Sequence, residues 1–149
     1  MAAGCELAVV DIEGVKVGLG ICYDLRFPEL FRLLALRGAE LIVLPAAFTQ
    51  FTGKDHWELL IRARAVENQL FMLAPNEWGR HPNGGVSYGR SMLVDPWGNV
   101  LAMASDGVGV ISAVCDLALM EKVRREVPSL ANRQPAAYVW ESDPVAALR

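Results

Sequence analysis

An α/β fold with two sheets faced by helices is what this sequence predicts, and three observations carry that expectation. The run Val15 to Cys22 is β-branched and apolar, with glycines where a side chain would crowd, and it passes at once into an acidic, proline-marked helix start, Asp24-Leu25-Arg26-Phe27-Pro28. A second buried apolar run, Glu40 to Leu44, follows that helix and closes a βαβ unit. From Ser87 onward, short apolar runs alternate with turn sequences, the mark of a β-meander.

The elements follow in order. Glu6 to Ile12 reads as a strand, Glu13-Gly14 as a tight turn and Val15 to Cys22 as its hairpin partner, with Val and Leu on both faces because the sheet is covered. Met1-Ala2-Ala3-Gly4-Cys5 stands directly ahead, an opening that leaves no room for a preceding domain within this chain. Leu30, Phe31, Leu33 and Leu34, with Arg32 and Arg37 between and after them, make Pro28 to Arg37 an amphipathic helix that Gly38 stops. Pro45-Ala46-Ala47-Phe48 ends the next strand on the edge where α/β sites collect their residues, so Phe48 is placed either on a substrate pocket or in plain core.

The second helix is expected over Gly53 to Asn68, with Asp55 as N-cap and Glu58 as its capping-box partner. On it, Arg64 and Glu67 lie three apart and are expected to form a solvated or interface pair. Gln69 to Ala74 is another buried strand, ending in Pro75-Asn76-Glu77-Trp78. The meander comprises Ser87 to Val94, Val100 to Ala104 and Val108 to Cys115, with Asp95-Pro96-Trp97-Gly98-Asn99 and Asp106-Gly107 as turns. Leu117 to Val127 is a last helix, stopped by Pro128. Two segments result: residues 1–128 as the folded part and residues 129–149 as an extended, Pro- and Ala-rich arm whose Tyr138 and Trp140 suit an interface anchor, with disorder as the competing reading.

Composition narrows the function. With 149 residues, 53% hydrophobic, the chain can bury a sizeable core, and surplus apolar surface is what half of a larger core would show. A net charge of −3 with dispersed Lys and Arg argues against a nucleic-acid binder. No apolar run approaches a membrane span, no leader pattern opens the chain, and three cysteines without a CxxC fit a reducing cytoplasm better than a disulfide framework or zinc site.

Chemistry centres on Cys22. It is either a small buried hydrophobe or a nucleophile, and its place at a strand-to-helix elbow favours the nucleophile, because the following backbone N–H groups stabilise a thiolate and hold a developing oxyanion. The Tyr23 N–H is the first such donor. His56 admits two readings, a Cys22–His56 pair of the thiol-protease kind or simple packing beside Trp57, and packing is favoured. His81 reads as a surface-loop residue, and Glu6 is a weak candidate for a base. The three lysines are Lys16, Lys54 and Lys122; Lys16 lies on the strand of Cys22 itself, roughly 20 Å away at strand rise, and cannot reach it.

Gly20-Ile21-Cys22-Tyr23-Asp24-Leu25-Arg26-Phe27-Pro28-Glu29 resembles the nucleophile motif of the nitrilase superfamily, the carbon–nitrogen hydrolases that cleave nitriles, amides and carbamoyl groups with a Cys-Glu-Lys triad. Three further blocks follow in that family's order: Pro45-Ala46-Ala47-Phe48, then Thr52 to Glu58 leading into Arg62-Ala63-Arg64-Ala65-Val66-Glu67-Asn68-Gln69, then Ser87 to Gly98. Within the superfamily the chain is most similar to the Nit-type amidase branch. The family's glutamates and lysine precede the nucleophile strand, so the match covers only the C-terminal half of the family domain.

The resemblance implies half of an αββα sandwich, incomplete relative to the family domain, with Cys22 as nucleophile and the Tyr23 N–H at the oxyanion. It faces the end of the third buried strand toward the active site, which makes Asn76 and Glu77 pocket residues beside Phe48, and it makes Arg62, Arg64 and Glu67 framework residues. It implies a small carboxylate-type amide as substrate, no metal or organic cofactor, and a homo-oligomer whose C-terminal arm reaches a second subunit. Three functions stand open: the C-terminal half of an amidase, inactive alone; a catalytically dead assembly or binding module; and a thiol enzyme that uses His56 or another carboxylate.

Overall fold

The computed structural model describes residue 4, residues 6–82 and residues 84–138. Its main sheet has six strands in the order β1-β2-β3-β4-β7-β8: β1 (Val9–Ile12), β2 (Val15–Leu19), β3 (Leu41–Val43), β4 (Phe71–Ala74), β7 (Met92–Val94) and β8 (Val100–Met103). A separate two-stranded ribbon joins β5 (Trp78–Arg80) to β6 (Val86–Tyr88). Three α-helices accompany them, α1 (Pro28–Leu36), α2 (Gln50–Asn68) and α3 (Leu117–Glu126). Strands β2, β3 and β4 run parallel, while β1, β7 and β8 pair antiparallel with their neighbours.

The first hairpin forms because Glu13 and Gly14 both take left-handed backbone angles, φ 52° and 86°, the turn that matches strand twist. The Asp11 carboxylate accepts the Gly14 N–H at 2.9 Å and closes it. Helices α1 and α2 cover one face of the sheet and bury Phe31, Leu34, Ile42, Leu44, Trp57, Ile61, Met72 and Met92 between the layers. Gly18 shows how closely these layers approach: a Cβ there would stand 3.0 Å from Ile42 and 3.3 Å from both Ala39 and Leu34.

Alternation along β2 turns Val17 and Leu19 to the opposite face. There Cys115 and Leu117 line an apolar groove with Ile12, Val15, Val17, Leu41, Val43 and Phe71. That face is covered only in part: Ile12 is 54% exposed and Leu19 44%. The expectation of a sheet buried on both sides therefore holds for the helix side alone.

Three further expectations are corrected. Helix α2 starts at Gln50 with Thr49 as N-cap, not at Gly53. Asp55 lies inside the helix beside Lys54 at 2.6 Å, and Glu58 pairs with Arg62 at 3.4 Å, so neither caps. Gly53 is a packing glycine: a Cβ there would meet the Tyr88 side chain at 2.5 Å. The meander is broken twice. Gly89 and Arg90, at φ 74° and 60°, redirect the chain from the ribbon to the main sheet, and Val108 to Cys115 forms no strand. The arm contains a short 3-10 turn, Pro135–Tyr138, with Tyr138 exposed; Trp140 lies outside the described residues.

Candidate active site

Cys22 stands where β2 gives way to a 3-10 turn, Cys22–Arg26, at the carboxyl edge of the parallel strands. Past the end of β2, the Gly20 N–H still donates to the Val43 carbonyl at 3.1 Å and the Cys22 N–H to the Pro45 carbonyl at 2.9 Å. Cys22 itself has φ 45°, a left-handed conformation that costs a residue with a side chain about 1–3 kcal/mol and persists only where the surroundings over-determine it. The surroundings do so here. Asp24 accepts the Ile21 N–H on its carboxylate at 2.8 Å, its own N–H donates to the Ile21 carbonyl at 2.9 Å, and Arg64 donates to the Leu25 carbonyl.

The thiol is half-buried and free, and Tyr23 follows it with an exposed ring. As the second residue of the turn, Tyr23 has one of the amides for which a helical first turn supplies no acceptor, the kind of donor that can hold an anion.

The strand ends bring the other expected residues to the same edge. Ala46 and Asn76 extend the parallel pairing of β3 and β4. The Asn76 side chain is occupied: its Oδ1 accepts the Phe48 N–H at 2.8 Å, and its Nδ2 donates to the Gly89 carbonyl at 2.6 Å. It ties two loop backbones together. Asn76→Ala strands both buried backbone groups and is expected to lower stability by about 1–3 kcal/mol, measured by urea denaturation.

Phe48 is buried, its ring centroid 5.2 Å from that of Trp57, so its ring belongs to the core beneath the edge. Glu77 is exposed, with its carboxylate 3.8 Å from His81 Nδ1. His81 is more than a loop residue, for its Nε2 lies 2.7 Å from the Ser87 hydroxyl across the ribbon.

Two arginines carry roles that the spacing alone did not reveal. Arg26, one turn beyond Cys22, places its guanidinium 5.5 Å from the Tyr23 ring centroid and 5.1 Å from that of Phe48. It also lies 3.4 Å from His56 Nδ1. Among the described residues His56 therefore bonds to Arg26 and makes no hydrogen bond to Cys22. Arg26 has no carboxylate within ion-pair distance among the described residues, unlike Arg62, Arg64 and Arg90. Arg64, read from spacing as part of a solvated or interface pair and from the resemblance as a framework residue, is buried. The spacing alone did not show that the pair is buried, because an Arg and a Glu three apart read identically on a wet helix face.

Among the described residues no carboxylate or lysine is hydrogen-bonded to Cys22, and no group of His, Cys, Asp and Glu is arranged to hold a metal ion. No described helix is long and apolar enough to cross a membrane.

Fold and site define an α/β protein with a cysteine elbow above parallel strand ends. Residues 1–125 match the model of the family described as carbon-nitrogen hydrolase, and the chain belongs to that family. It is 49% identical over 123 residues to the deaminated glutathione amidase of Mus musculus, an alignment covering 83% of this chain and 38% of the relative. The crystal structure of the C. elegans NitFhit protein superposes with a TM-score of 0.89 at 44% identity, over 93% of this chain and 34% of that one. A mutant amidase from Nesterenkonia sp. AN1, solved with the acetamide moiety of fluoroacetamide added covalently at its active-site cysteine, gives a TM-score of 0.77 at 28% identity, over 93% of this chain and 48% of that one. The chain thus spans less than half the length of each of these proteins.

Proposed function

We propose that this chain carries the nucleophile half of an amidase for small carboxylate-type amides, of the omega-amidase or deaminated-glutathione-amidase kind, and that it is inactive until an upstream segment supplies a base and a cation. The strained Cys22 elbow is the observation that carries this reading. In the reaction, the upstream carboxylate takes the proton of the Cys22 thiol, the resulting thiolate attacks the amide carbon, and the carbonyl oxygen becomes an oxyanion facing the Tyr23 N–H. The C–N bond breaks as ammonia leaves with a proton from the upstream carboxylate, which leaves a thioester on Cys22. Water, deprotonated by that carboxylate, then releases the carboxylic acid and restores the thiol. Arg26, a guanidinium without a carboxylate beside the nucleophile, supports an acidic group on the substrate.

The second reading, an assembly or binding module without catalysis, is favoured by one observation. Phe51, Leu33, Leu36, Leu59 and Val66 are exposed on α1 and α2, apolar surface suited to a second subunit, and a homo-oligomer belongs to both readings. A cytoplasmic setting, in which Cys22 stays reduced, is part of the proposal.

Alkylation rates separate the two, read by peptide mass mapping between about pH 6 and 9. Burial pushes the Cys115 thiol up, so Cys115 remains protonated where a free thiol begins to ionise and serves as the slow internal standard. The sign for stability follows: ionising Cys115 is penalised in the folded state, so its contribution is intact below the ordinary thiol range and is lost as pH rises through the raised value. Cys22 is expected to react about tenfold or more faster than Cys115 at neutral pH. Equal rates would leave catalysis without its nucleophile and favour the assembly module.

A further inference from the structure

The turn that holds Cys22 is fastened at its exit by a residue of another element. Arg64 on α2 is only 5% exposed, and it sends two N–H groups to one acceptor, the Leu25 carbonyl: Nε at 3.2 Å and Nη2 at 2.8 Å. Its Nη1 donates to Glu67 at 3.0 Å, and its guanidinium stands 5.4 Å from the centroid of the Phe31 ring. Asn68 completes the cluster, donating to the Arg64 carbonyl at 2.9 Å and lying 3.4 Å from the same Glu67 oxygen.

Burying a cation is unfavourable unless it is paired and hydrogen-bonded, and a leucine would fill such a core position at lower cost. What a leucine lacks is a planar fork of donors. Leu25 is fully buried, and its carbonyl lies in the short turn that begins at Cys22. The fork satisfies that carbonyl from below and fixes where the turn ends. At the entry, Pro45 and Asp24 fix where it begins. With both ends held, Cys22 keeps its left-handed angle.

We propose that Arg64 is a positioning residue for Cys22, acting through the Leu25 carbonyl, with Glu67 orienting the guanidinium. This rests on the reading of Cys22 as a nucleophile, and its consequence is specific: loosening Arg64 frees the elbow without loosening the sheet.

Arg64→Lys tests it in the whole chain, because lysine keeps the charge against Glu67 but has no fork for Leu25. Amide hydrogen exchange of the Cys22, Asp24 and Phe27 N–H groups is expected to quicken about tenfold or more, while exchange in β3 and β4 stays within about twofold. In the same protein the rate–pH profile of Cys22 alkylation is expected to fall about tenfold at neutral pH, with that of Cys115 unmoved.

Glu67→Ala, at a half-buried position, leaves both Leu25 bonds in place and releases Nη1. It is expected to move the same readouts in the same direction, about threefold. If Arg64→Lys does not fold, Glu67→Ala carries the test. Equal acceleration in the turn and the sheet, or none in the turn, overturns the proposal and leaves Arg64 an ordinary core residue. Failure of the nucleophile reading shows separately, in the unmutated chain, as equal alkylation of Cys22 and Cys115, while hydrogen exchange still reports on the clamp.

Discussion

Trp57→Ala is expected to destabilise this chain by about 3–5 kcal/mol, enough to unfold much of the population in a domain at the low end of ordinary stability. Trp57 is fully buried on α2 and is the largest side chain between the helices and the sheet. Its ring packs against Phe48, and its indole N–H donates to the Arg90 carbonyl at 2.8 Å. Alanine leaves a cavity and strands that carbonyl at the point where Gly89 and Arg90 turn the chain between sheets. Trp57→Phe separates the two effects, since it keeps most of the volume and removes only the donor; a loss of about 1–2 kcal/mol is expected. Urea denaturation of both variants, read as midpoints with the slope unchanged, checks the pair. A loss under about 1 kcal/mol for the alanine variant would mean that the layers do not meet at this tryptophan.

On the proposed reading, once joined to an upstream segment that supplies the base and the cation, the chain is expected to hydrolyse a small carboxylate-type amide, and Cys22→Ser is expected to lower kcat on the order of 10⁴-fold or more. Serine preserves the size and polarity of the side chain, so the loss measures the thiolate. The chain without that segment is expected to show no turnover while keeping a reactive Cys22. Release of ammonia measures the first outcome and alkylation the second. Turnover surviving Cys22→Ser in the joined protein would place the nucleophile elsewhere.

Much of the site was legible because its logic is local. The glycines, the cysteine and the Asp-Pro helix start lie within one stretch, and a strand that ends in such a turn has one place to put the thiol. The β2–α1–β3 unit and the parallel β4 were readable for the same reason: each is a short apolar run with its own stop signal. What escaped depended on partners distant in sequence. Gly53 looked like a helix boundary because a glycine often is one, whereas the structure uses it to admit the Tyr88 ring. Val108 to Cys115 has the alternation of a strand, and alternation does not reveal whether a neighbouring strand is present to pair with it. Arg26 sits in the motif itself, yet its place between two aromatic rings depends on Phe48, which arrives from the next strand. His56 resolved toward Arg26 only when the fold set α2 beside the turn.

The strand order has one more consequence, for the chain in free solution. The main sheet ends at β1 on one side and at β8 on the other, and the two margins differ. At the β1 margin Asp11 and Glu13 put charge where another strand would add, a common guard against unwanted pairing. At the β8 margin Val100, Leu101, Ala102 and Met103 form four apolar residues in a row, with Leu101 and Met103 exposed. Among the described residues no strand pairs beyond β8, and an edge of that kind is a template for aggregation, so Leu101→Lys is expected to lower self-association of the isolated chain, measured by sedimentation velocity.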